Sequence, residues 1–76
     1  MDYIIAYTDE NGQGFDENLP WIREVPFPDD IENAKNEARY MVELGFTNVT
    51  LVEVDDNFYM ENIPWDVINL LNKIEF

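Results

Sequence analysis

The side chains of this chain that could do chemistry are carboxylates: seventeen Asp and Glu stand against four Lys and Arg, with no His. Two short runs set them beside aromatic residues. Asp9, Glu10, Asp16 and Glu17 surround Phe15 ahead of Trp21, and Asp55, Asp56 and Glu61 enclose Phe58, Tyr59 and Met60. Carboxylates so placed can serve as an acid-base pair, as ligands of a hard cation, or as anionic contacts for a cationic partner.

The first use needs one acid desolvated enough to stay protonated beside an ionised neighbour. No pair is distinguished in that way. Asp29-Asp30 and Asp55-Asp56 have simpler readings as a helix cap and a strand exit. Cys, Ser and His are all absent, which removes disulfides, thiolate and imidazole zinc sites and the nucleophile-imidazole couples. The expectation is a protein that is not an enzyme and holds no cofactor.

The second use fits only in part. Counting a calcium loop from Asp9 puts Asn11, Gln13 and Gly14 in suitable places, but the closing bidentate position falls on Pro20. No metal ligand set is assigned, and a solvated acidic turn is the simpler reading. Gly12-Gln13-Gly14 is also no phosphate cradle. It lacks the further glycines or Lys and the following helix of such motifs, and Asp9, Glu10, Asp16 and Glu17 would repel phosphate.

The third use is the one that the charge distribution favours. Residues 1–27, 28–47 and 48–76 carry net charges of −5, −3 and −5, so no segment neutralises another, and the total is −13. Such a surface repels nucleic acid and anionic membrane and attracts proteins that grip phosphates with Lys and Arg. In size and charge the chain resembles phage-encoded DNA mimics such as anti-restriction and anti-CRISPR proteins. That resemblance implies a small inhibitor occupying a basic nucleic-acid-binding surface. The candidate contacts are Asp9, Glu10, Asp16, Glu17, Asp55, Asp56, Phe58, Tyr59 and Glu61, aromatic anchors with an acidic rim. The alternative is an acidic interaction or self-assembly module whose charge serves solubility and whose aromatics, Trp65 included, serve packing. Oligomeric state is open.

The elements that must position these residues belong to one domain spanning 1–76, since 76 residues cannot enclose a second core. Tyr3 to Thr8 is aromatic and β-branched and ends at a run of turn formers, which predicts a first strand. Trp21 to Phe27 alternates and is trimmed by Pro20 and Pro26, which predicts an edge strand paired to the first through an enlarged turn. Asp29 and Glu32 suit a capping box. The helix that follows has Ile31, Ala34, Ala38, Met41 and Val42 or Gly45 on its inner stripe, with Gly45 as its stop.

Residues 48–55 predict a third strand, partly apolar on both faces, and the sequon-like Asn48-Val49-Thr50 at its start is coincidental, since glycosylation needs a secretory route. A last helix is expected from Pro64, with Val67, Ile68, Leu71 and Ile74 inward and Lys73 at its end. The predicted class is α+β, a three-stranded sheet in the order strand, strand, helix, strand, helix, with the long helix packed on one face. Without Cys, a signal segment or a membrane span, the expected location is the cytoplasm.

Overall fold

The computed structural model describes residues 2–25, 30–55 and 63–76. They form a small α+β fold: β1 (Asp2–Thr8), β2 (Trp21–Glu24), α1 (Ile31–Glu43), β3 (Thr47–Val54), the single turn α2 (Trp65–Ile68) and β4 (Asn72–Ile74). The sheet has four strands in the order β2-β1-β3-β4, and every pairing is antiparallel. β2 and β3 therefore run in the same direction on either side of β1, joined by α1 in a split β-α-β unit.

Alternation along β1 and β3 divides the apolar residues between the two faces. Tyr3, Ile5 and Leu51 pack with Val25 and with Ala34, Ala38 and Met41 of α1. Ile4, Ala6, Val52 and Val54 pack instead with Ile63 and Ile68. Ile4, Ile5, Leu51, Val52 and Ile68 are fully buried, each contributing about 1.5–3 kcal/mol relative to exposure. The small side chains of Ala34 and Ala38 leave the α1 backbone room to approach the sheet, while Val42 is exposed, which removes it from the expected inner stripe.

α1 begins one residue later than expected. Its N-cap is Asp30, whose carboxylate accepts the N–H of Asn33 at 3.0 Å. Asn33 thus holds the third helical position that the capping-box reading gave to Glu32, and Asp29 lies outside the described residues. The far end closes as expected. Gly45 has φ +100°, its N–H donates to the Val42 carbonyl at 3.1 Å, and the N–H of Phe46 donates to the Met41 carbonyl at 3.2 Å. This is a Schellman motif.

Two expectations fail at the C-terminal end. The sheet has four strands, and the last helix is one turn long. After Ile68 the chain turns through Asn69 and Leu70, and β4 pairs Asn72, Lys73 and Ile74 with Glu53, Val52 and Leu51. Val67, Ile68, Leu71 and Ile74 thus do not share a helix stripe: Ile68 is buried on the second face, Ile74 packs against the α1 face, and Val67 is exposed. A continued helix would leave the backbone edge of β3 unpaired, and β4 covers it. No helix among the described residues is long and apolar enough to cross a membrane.

Candidate acidic interaction surface

Loop 9–20 joins β1 to β2 and is built by its own polar groups. Asp9 turns the chain: its Oδ1 accepts the N–H groups of Asn11 and Gln13, each at 2.9 Å. Its own N–H donates to the Gln13 carbonyl at 2.7 Å, and its carbonyl accepts from Gly12 at 3.0 Å. Gly12 takes φ +77°, the left-handed region open to glycine. Gly14 is needed for a different reason, because a Cβ there would run into the Leu19 carbonyl oxygen and crowd Pro20. Asp16 and Leu19 exchange backbone hydrogen bonds at 3.3 and 3.1 Å, closing a second turn in which Asp16 Oδ1 accepts the N–H of Glu17 at 2.6 Å.

Two anchors hold this loop to the rest of the fold. The carbonyl of Asn18 accepts the N–H of Trp65 at 3.0 Å, which ties the loop to α2. The other anchor is a chain of hydroxyls where β1 meets β3. Thr47 Oγ1 donates to the Asp9 carbonyl at 2.7 Å, and Thr8 Oγ1 lies 2.6 Å from Thr47 Oγ1. Asn48 Nδ2 donates to Thr8 Oγ1 at 2.9 Å. The β1–β3 register shifts at this point, and Asn48 has φ 53°, so an asparagine occupies the left-handed position of a bulge. Bulged strands re-aim their side chains, and here the shift carries the Asn48 amide to Thr8 at the end of β1.

The four loop acids differ in what they are free to do. Asp9 is spent on the turn through one oxygen. Glu10, Asp16 and Glu17 are exposed, and none of the four pairs with a base among the described residues. The bases sit elsewhere: Arg23 lies 2.7 Å from Glu37, Lys35 lies 3.9 Å from Glu32, and Arg39 donates to Asn36 at 2.9 Å. Phe15 and Trp21 meet edge to face, with centroids 5.6 Å apart, and remain 61% and 40% exposed. The loop thus carries exposed acids and exposed aromatic surface together.

Of the second acidic run, Asp55 is the one acid among the described residues, and it does not join the loop. Register places Thr47 opposite Thr8 and Val54 opposite Asp2, so Asp55 leaves β3 at the end of the sheet away from the loop. The eight residues of β3 separate the two ends by roughly 25 Å. Asp56, Phe58, Tyr59 and Glu61 lie outside the described residues.

A hollow of about 540 Å³ opens between the loop and the second sheet face, lined by Thr8, residues 12–17, Asn48 and Trp65. A neighbouring hollow of about 430 Å³ shares Asn48 and Trp65 and continues to Thr50 and Asn69. Neither Trp65 nor Asn48 was placed at the site by spacing in the sequence, although Asn is a residue that tolerates the left-handed conformation of a bulge. Among the described residues, no three acids gather closely enough to hold a metal ion.

Compared with protein-family models, with curated proteins and with solved structures, the chain matches none. Any functional reading therefore rests on the charge and shape of the surface itself.

Proposed function

We propose that this protein is a small acidic inhibitor that occupies the basic nucleic-acid-binding surface of a target enzyme, its carboxylates standing where phosphates would lie. One observation carries the reading: Asp9, Glu10, Asp16 and Glu17 share one loop tied to the fold at Thr47 and Trp65, and no base of the described residues neutralises them. The Asp9 and Asp16 carboxylates, each fixed by backbone N–H groups of the loop, lose little freedom on binding, and a net charge of −13 steers encounter with a cationic groove. Inhibition on this reading is competitive with DNA or RNA and blind to their sequence. It assigns no catalysis and no cofactor to the chain.

Capture tests the reading. The immobilised protein is expected to retain nucleic-acid-handling enzymes from a lysate in dilute buffer and to release them to duplex DNA or structured RNA. Retention that no nucleic acid displaces would overturn it.

A second reading, an interaction or assembly module, draws on exposed apolar side chains. Tyr40 of α1 and Leu44, the C-cap of that helix, are both more than half exposed, and Leu70 is 86% exposed. Sedimentation separates the two: a dimer that persists on dilution favours the module, and a monomer favours the inhibitor.

A further inference from the structure

We propose that the trough between residues 12–17 and Trp65 seats one arginine side chain of a basic partner, its guanidinium set against the indole and bonded by the carboxylates of Asp16 and Glu17. The inference rests on the reading that the partner's surface is basic, and it adds the place and the residue type of the contact. The hollow there, about 540 Å³, lies in the ~300–1,000 Å³ range of sites that hold small ligands. It does not end at the indole. The adjoining hollow, about 430 Å³, shares Asn48 and Trp65 with it, so an extended side chain has a path along the wall.

The lining decides the chemistry. Among the described residues, Asp16 and Glu17 are its charged groups and no Lys or Arg lines either hollow, so the seat is anionic. The hydroxyl of Thr8 is already engaged with Thr47 and Asn48, and the N–H of Gly12 with Asp9, which removes two donors that an anion would need. Asp16 Oδ1 holds the N–H of Glu17, which leaves its second oxygen for a ligand. A cation is therefore favoured.

The aromatic wall favours arginine over lysine. Trp65 is half-buried and comes from a distant part of the chain, fixed to the loop through its own N–H and the Asn18 carbonyl at 3.0 Å. A planar guanidinium can lie against such a ring while its fork meets two carboxylates, whereas an ammonium is a strongly hydrated point charge that does neither as well.

The test titrates isotope-labelled protein with capped Gly-Gly-Arg-Gly-Gly and with its lysine counterpart in dilute buffer, followed by amide and indole chemical shifts. Saturable shifts are expected at residues 12–17, at Asn48 and at the Trp65 indole, with arginine bound at least about threefold more tightly than lysine. The double variant Asp16→Asn, Glu17→Gln is expected to keep the native spectrum and to bind arginine several-fold more weakly. Shifts scattered over all the acids, equal affinity for the two peptides, or an unaffected double variant would overturn the seat.

The outcome is separable from the inhibitor reading. An arginine peptide that settles in the trough of a protein from which nucleic acid displaces nothing upholds the seat and defeats the inhibitor. Enzyme capture that DNA reverses, without a peptide site in the trough, does the opposite.

Discussion

Asn48 donates its side-chain amide to the hydroxyl of Thr8 at 2.9 Å from a backbone with φ 53°. The conformation and the hydrogen bond support each other. The bulge turns Asn48 towards β1, and the bond to Thr8 offsets part of the strain of a left-handed residue. Through Thr47 the same chain reaches the Asp9 carbonyl, so the acidic loop is held by the junction of the two central strands.

Substitution at this junction separates the two effects. Asn48→Ala loses the hydrogen bond and keeps the unfavourable φ, and is expected to cost about 1–2 kcal/mol. Asn48→Gly loses the bond but relieves the backbone, so its cost is expected to be clearly smaller. Urea midpoints of the two variants check the order, and equal losses would show that the φ angle is not a source of strain.

The loop glycines are expected to respond differently. At Gly12 an added methyl group meets open space, and Gly12→Ala costs only the left-handed penalty, about 1 kcal/mol. At Gly14 the methyl group meets the backbone of Leu19 and Pro20, which cannot swing aside. Gly14→Ala is expected to cost about 1–3 kcal/mol and to shift the amide resonances of Asp16 and Leu19, whereas Gly12→Ala leaves those two in place.

Asp9 has a structural role as an acceptor and a proposed role as a charge, and Asp9→Asn divides them. An asparagine oxygen can still accept from Asn11 and Gln13, so thermal stability is expected to hold within about 0.5 kcal/mol, whereas Asp9→Ala loses roughly 1 kcal/mol. Partner affinity measured on Asp9→Asn then reports the charge alone. Capture unchanged from the parent protein would assign Asp9 to the turn and nothing more.

Ile68 tests the C-terminal end of the fold. It is fully buried against Ile4, Ala6, Val52 and Val54 although α2 is a single turn. Ile68→Ala is expected to cost about 2–5 kcal/mol in denaturant titration. A loss below about 1 kcal/mol would mean that residues 63–68 do not complete the second core.

Much of this architecture is legible in the residues. β1, α1 and β3 show their periods plainly, and Gly45 marks the helix stop where it occurs. The end of the chain is less legible, because Val67, Ile68, Leu71 and Ile74 satisfy a helical spacing while Asn72, Lys73 and Ile74 are too few to display a strand period. What decides between them is the open edge of β3, a demand of the whole sheet. The candidate site was legible as composition and not as geometry: the two acidic runs look alike in the sequence, and only the β1–β3 register sends Asp16 and Asp55 to opposite ends. Trp65 reaches the loop through a backbone bond that no spacing announces.

The distance between those ends makes the central claim testable with charge alone. Groups so far apart are expected to act independently, so Asp16→Lys with Glu17→Lys should abolish capture of a nucleic-acid-handling enzyme while Asp55→Lys weakens it modestly. The most direct measurement is the affinity for such a captured enzyme as a function of salt. Carboxylates placed as phosphates are expected to lose about tenfold or more in affinity between roughly 0.05 and 0.2 M salt, in parallel with the enzyme's own binding of DNA or RNA. An affinity that stays level across that range would contradict the account.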